Sequence, residues 1–290
     1  MFKTLLVPML GESCDQFVLD TAWRLACGFD SHLDCVHVRP NALEMAIRLS
    51  TMDAAIAAPV TAELWRGLDE EAAVRAKSAR ACFEDVCAGR GIVQIASPPH
   101  TTGVSATYHE AEGNFLRALV SSARTHDLVV LGRCEPVLDA GALGDVLVSS
   151  GRPMLLVPKE GPQALFGTVA IAWKETAEAA RTLALAMPIL MKAGRIVVLA
   201  AAEGGQDMDE VQVSAARAAE YLRWHGLAVE TQCISTAGSA VRSVTDAAGD
   251  IGAGMLVMGG YGHGRLREFV FGGFTSSVLE AAQLPIFMAH

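Results

Sequence analysis

The chain has 290 residues, 51% of them hydrophobic, enough to bury one large core or two smaller ones, and its 32 acidic against 23 basic residues give a net charge of −9. That balance, with a pI near 5.4 and no clustered Lys/Arg surface, excludes nonspecific nucleic-acid binding, which needs a basic face to neutralise phosphates. No run of about 18 uncharged apolar residues offers a membrane span, and "MFKTLLVPMLGESCDQ" meets Pro, Gly and Glu too early for a signal peptide, so a cytoplasmic address is expected.

In chain order, the first apolar run is "FKTLLVPMLGES" from Phe2, ending in a polar turn that opens a helix. A second run, "LDCVHV", ends at Val38, and its His37 is expected to be a hydrogen-bonded core histidine rather than a ligand. Residues 40–90 form an insertion-like segment. Its Met45, Ile47, Leu49, Met52 and Ile56 either line a pocket or partner surface or cover the core of their own domain, and the second is the expectation. "DLVVLG" then finishes at Gly132 and "RPMLLVP" begins at Arg152. In "PKEGPQALFG" two prolines and two glycines bracket a polar stretch, which places a domain boundary near Gly161 and gives domains 1–160 and 161–290.

Beyond that boundary the pattern is written again. "FGTVAIAWKETA" from Phe166 matches the opening of the chain, "RIVVLAAA" ending at Ala202 matches the second run, "GMLVMG" ending at Gly259 answers "DLVVLG", and "LPIFMAH" answers "RPMLLVP". Between them lie segments of helical period, "ETAEAARTLALAMPILMKAG" and "DEVQVSAARAAEYLRWHG", with Gly194 and Gly226 as expected C-caps. Short buried-type strands alternating with helices predict an α/β fold of two tandem, doubly wound domains, each a mainly parallel sheet with helices on both faces. The seven cysteines contain no C-x-x-C pair and the eight histidines are scattered, so no metal site is expected, and most cysteines are expected to be reduced core or helix-face residues.

The chemistry-bearing stretch is "GGYGHGRLREFVFGG", Gly259–Gly273, at the carboxyl end of the "GMLVMG" strand, where open α/β sheets bind ligands. Glycines let backbone N–H groups approach an anion, the following helix N-terminus adds unpaired donors, and Thr275 adds a hydroxyl in its first turn. Read alone, the stretch fits a phosphate loop and a plain flexible connection equally. The general nucleotide fingerprints, the nucleophile elbow and the H-E-x-x-H zinc motif are absent. Arg265 and Arg267 beside Glu268, and His263, read either as phosphate contacts or as solvated loop residues, with the second expected.

The spacing G-x-x-G-x9-G at the last strand-to-helix turn, in both position and context, resembles the universal stress protein family, and the duplication resembles a tandem two-domain member. The resemblance implies five strands per domain in the order 3-2-1-4-5, ATP binding in many members and association of domains through their last strands. Residue by residue it implies a nucleotide site at Gly259, Gly262 and Gly272, with Phe274 and Thr275 at phosphate-contact positions and Gly273 where the family usually has Ser or Thr. Ala172, Trp173 and Lys174 end the first strand, Lys174 standing where nucleotide-binding members place an acidic residue, and Ala202 falls where backbone atoms meet the base. In the first half Leu10 replaces that acidic residue, and "GRCEPVLDAG" keeps only its end glycines and brings Glu135 and Asp139, so this site is expected to be degenerate.

The expected function is therefore a nucleotide-responsive regulatory protein in stress response, binding ATP or a related nucleotide, with Mg2+ as a companion ion, in the C-terminal domain. Homo-oligomers built as dimers of tandem chains and protein partners are expected; nucleic acid and membranes are not. No catalytic residue is assigned, so at most slow ATP hydrolysis is expected. The alternatives are a dimerising interaction scaffold with both sites decayed and, least favoured, an enzyme on a similar nucleotide-binding fold.

Overall fold

The computed structural model describes residues 1–41, 62–98, 103–133, 140–158, 164–202, 205–236, 239–260 and 283–290. Met45, Ile47, Leu49, Met52 and Ile56 lie outside them. The chain divides into two compact units, Phe2–Val137 and Leu138–His290.

In the N-terminal unit the order is β1 (Thr4–Met9), α1 (Asp15–Phe29), β2 (His32–Arg39), α2 (Ala62–Arg90), β3 (Val93–Gln94), β4 (Ser105–Glu112), α3 (Phe115–Ala123) and β5 (Leu128–Gly132). The strands run parallel in the order β3-β4-β2-β1-β5. β1, inside the sheet, and β5 beside it are apolar along most of their length and buried, as strands covered on both faces must be. Helix α1 turns Val18, Leu19, Ala22, Leu25, Ala26 and Phe29 inward, the spacing of one helical face. The segment read from sequence as insertion-like holds a long helix, α2, whose Ala72, Ala76, Ala79, Phe83, Val86 and Cys87 repeat at three and four residues and are buried. His37 is a core histidine, 4% exposed, with its Nδ1 hydrogen-bonded to the Met9 carbonyl at 2.8 Å.

An ion pair ties β2 to the end of α3. The His126 Nε2 donates to Asp34 Oδ2 at 3.0 Å and its Nδ1 faces the Ser122 carbonyl at 2.8 Å, so both ring nitrogens meet acceptors and the imidazolium is the form that satisfies both. Burial pushes the His126 pKa down, but the Asp34 bond and the Ser122 carbonyl outweigh it and the net direction is up. Burial likewise pushes Asp34 up, and the bond from His126 with the nearby His109 brings it to a net lowering. The sign follows from each direction. His126 contributes stability that is complete below the ordinary histidine pKa of about 6.5 and is lost as pH rises through its raised value; Asp34 contributes above the ordinary carboxylate range and loses it as pH falls through its lowered value. The melting temperature of the protein relative to His126→Gln is therefore expected to be highest near pH 5.5 and to shrink by about pH 8.5. A gap that is the same at both pH values contradicts the assignment.

The C-terminal unit continues with α4 (Ala140–Ser150), β6 (Met154–Val157), β7 (Thr168–Ala172), α5 (Ala177–Leu190), β8 (Arg195–Ala202), α6 (Met208–Trp224), β9 (Val229–Ser235), α7 (Ala240–Asp250), β10 (Met255–Gly259) and β11 (Ile286–Ala289). Its strands lie in the order β6-β11-β10-β7-β8-β9, with β7 to β11 parallel and β6 antiparallel to β11. Counted from β7, the parallel strands follow the third, second, first, fourth, fifth arrangement of a doubly wound α/β domain. The sequence repeat places β6 at the end of the first half, yet by compactness α4 and β6 group with the second.

The two glycines expected as C-caps differ. Gly226 has φ +79° and its N–H donates to the Arg223 carbonyl just past α6, a left-handed turn of the expected kind. Gly194 instead lies where a Cβ would come 3.1 Å from the Gly167 carbonyl, so it serves the close approach of two loops. Strands β4 and β9 did not stand out in the sequence. Both carry polar residues at many positions, "SATYHEAE" and "VETQCIS", because β9 is an edge and β4 has only the two-residue β3 beyond it.

Among the described residues no helix is long and apolar enough to cross a membrane. Among the described residues Cys27, Cys35, Cys82, Cys87 and Cys233 are free thiols, and Cys14 is disulfide-bonded.

Candidate functional site

The carboxyl ends of β7, β8 and β10 bring several of the sequence-predicted residues to one rim. Met258 pairs with Ala172, so Gly259 stands one step further, level with Trp173 on the neighbouring strand. Ala202 ends β8, paired with Ser235 of β9. The chain leaves β7 under firm control: the Trp173 N–H still donates to the Leu199 carbonyl at 2.8 Å, and its indole Nε1 donates to Ser214 Oγ of α6 at 2.9 Å. Lys174 follows, exposed, and the turn closes as the Thr176 N–H donates to the Lys174 carbonyl at 2.7 Å. Thr176 then caps α5, its Oγ1 accepting from the Ala179 N–H at 3.2 Å.

Gly259 has a packing reason of its own. A Cβ there would lie 2.7 Å from the Ala179 nitrogen and 2.9 Å from its Cα, both backbone atoms, so the end of β10 fits against the first turn of α5 only without a side chain. The positive end of the α5 dipole thus abuts the point where the glycine-rich stretch begins. Gly260 continues along β11, its N–H donating to the Ala289 carbonyl at 2.9 Å. Gly262, Gly272, Gly273, Phe274 and Thr275 lie outside the described residues, as do His263, Arg265, Arg267 and Glu268.

Two groups at this rim did not emerge from sequence reasoning. Glu178, 2% exposed in the first turn of α5, accepts from Arg181 at 3.3 Å. Ser214 anchors the Trp173 indole. Its place was there to find: a serine one helical turn, four residues, before the buried Ala218 sits on the inner side of an amphipathic helix, where a hydroxyl needs a partner.

The matching rim of the N-terminal unit is built differently. Asp15, 2% exposed in the first turn of α1, accepts from the Leu10 N–H at 2.9 Å and the Gly11 N–H at 2.8 Å. Burial raises its pKa, and those two N–H groups oppose the rise. The donors after β1 are therefore already spent on an internal carboxylate. Gly11 has φ +75° and its absent Cβ would meet the Arg75 carbonyl of α2 at 2.3 Å, so the α2 backbone lies directly on this turn. Glu135 and Asp139 lie outside the described residues. Among the described residues no group of three or more His, Cys, Asp or Glu is placed to hold a metal ion.

With this geometry in hand, comparison with known proteins gives a consistent result. Residues 189–290 match the family model for the Universal stress protein family. No curated protein matches the chain. The fold of a universal stress protein from Archaeoglobus fulgidus is similar over 99% of this chain and 95% of that one, at 16% identity and a TM-score of 0.65. A functionally unknown protein from Pseudomonas aeruginosa is similar over 99% of this chain and 92% of its own, at 14% identity and a TM-score of 0.58. The resemblance read from the repeats holds: by sequence over residues 189–290, and by fold over nearly the whole length of a tandem chain.

Proposed function

We propose that this protein is a universal stress protein-like regulator in stress response whose C-terminal domain, 161–290, binds ATP or a related nucleotide. The observation that carries the reading is the gathering of Ala172, Trp173, Lys174, Ala202 and Gly259 at the carboxyl ends of adjacent parallel strands, beside the capped N-terminus of α5. Gly262, Gly272 and Gly273, with Phe274 and Thr275, complete the site by sequence. Trp173, its indole pinned by Ser214, offers a fixed ring edge, and Lys174 offers a point charge suited to a phosphate. Mg2+ would arrive with the triphosphate rather than sit in a protein site. The N-terminal domain, 1–160, is a structural partner with a degenerate site, a reading supported by Asp15 consuming the N–H groups of Leu10 and Gly11. Binding orders the glycine loop and alters a surface read by protein partners, in a cytoplasmic dimer of tandem chains.

One observation favours the alternative, a dimerising scaffold without a nucleotide. Gly259 is required by packing against α5, so its presence needs no phosphate.

Thermal unfolding with and without millimolar Mg-ATP separates the two. Binding at about 100 times the dissociation constant is expected to stabilise the protein by about 2.7 kcal/mol. Gly262→Val is expected to abolish that shift and Gly132→Val to leave it intact. No shift, together with no nucleotide extracted from the purified protein, establishes the scaffold reading instead.

A further inference from the structure

Side chains two residues apart on a strand share a face. On β2 this groups His32 with Asp34, opposite the buried Leu33 and Cys35; on β4 it groups Ser105, Thr107 and His109, opposite Ala106 and Tyr108. Helix α2 covers the Tyr108 side, where the Phe83 ring lies 5.4 Å from the Tyr108 ring, tilted by 38°, and the Arg80 guanidinium lies 4.6 Å over it. The register sets His32 beside Ser105 and Asp34 beside Thr107. On this face, toward the amino ends of the strands, lies a half-open pocket of about 580 Å³, walled also by Lys3, Asp30 and residues 96–98. The volume suits a small ligand.

The lining chemistry is specific. The His109 Nδ1 lies 3.1 Å from Asp34 Oδ1, which leaves the Nε2 as its remaining polar atom. The His32 Nδ1 is 2.9 Å from Ser105 Oγ. The Asp34 charge is balanced by the His126 imidazolium on its other oxygen, and the Lys3 ammonium, which donates to the Phe29 carbonyl at 2.8 Å, stands beside Asp30. Burial holds His32 below its ordinary value, so it stays neutral at pH 7. Hydroxyl, imidazole, carboxylate and ammonium thus line one cavity. A multiply charged anion would meet Asp30 and Asp34, and a hydrocarbon would leave polar groups unpaired.

We infer that this cavity is a second small-molecule site, opposite in strand polarity to the nucleotide rim, and that it takes an uncharged polyhydroxylated ligand of monosaccharide size. Each hydroxyl of such a ligand both donates and accepts, which matches a wall of mixed donors and acceptors.

The test is histidine side-chain 1H–15N spectra of the full chain, titrated separately with D-glucose, D-ribose, myo-inositol and citrate. At least one of the three neutral compounds is expected to shift His32 and His109 saturably while leaving His225 unmoved. Ala96→Phe, which fills the cavity, is expected to abolish the response, and His109→Leu to weaken the His32 response by about three- to tenfold if the variant melts normally. Silence to all three neutral compounds, a stronger response to citrate, or an undiminished response in a folded Ala96→Phe variant each overturns the proposal.

Discussion

Phe287→Ala is expected to lower the unfolding free energy of the C-terminal unit by about 3–5 kcal/mol. Phe287 is fully buried, 0% exposed, in the middle of β11. It is held from both sides in the sheet, paired with Val257 of β10 and with Leu155 of β6. Those backbone ladders fix the positions of the surrounding residues, so the walls cannot fall inward and the loss combines the transfer free energy of the ring with that of an unfilled cavity. Denaturant titration of the variant measures it. A loss below about 1 kcal/mol would mean that the site collapses, and that β6 and β11 are not the rigid pair described.

Gly11→Ala is expected to cost about 2–4 kcal/mol, from two sources that a control separates. A left-handed φ of +75° is disfavoured for alanine by about 1 kcal/mol, and the added Cβ would lie 2.3 Å from the Arg75 carbonyl, a backbone atom that cannot rotate away. Gly91 shares the first source alone: its φ is +65° and a Cβ there meets nothing within 4 Å. Gly91→Ala is therefore expected to lose only about 1 kcal/mol. Equal losses in the two variants would show that α2 does not bear on the turn after β1, and with it would go the physical reason for treating the N-terminal rim as closed.

How far the sequence foretold this protein depends on the range of the interactions involved. Local signals read well. The apolar runs ending at Gly132 and Gly259 are β5 and β10, Gly226 caps α6, and His37 is a core histidine, because each depends on its immediate neighbours and on burial alone. The duplication gave the doubly wound architecture, since a repeated strand-helix alternation has few ways to fold. Partners distant in sequence were not legible. The inner-side position of Ser214 could be read, but not that its partner is Trp173 on another element, and Gly194 looked like a helix stop while its reason lies at Gly167. The polar third strands were hidden because strands at or near a sheet edge lack the continuous apolar run that marks central ones. The candidate rim was visible as residue types at the right strand ends; that Gly259 also serves α5 is a fact of packing, which only coordinates reveal.

The antiparallel pairing of β6 with β11 bears on how such a chain can evolve. Duplication copies a stretch of residues, and here the copied stretch ends after β6, while compactness draws β6 to the second copy's last strand. Heredity and cohesion thus cut the molecule at different places. A recombination event that moved the second repeat elsewhere would carry off β11 with one flank of its peptide groups unmatched, an adhesive margin that natural sheets guard against. Mutations on either side of that seam are consequently answerable to each other.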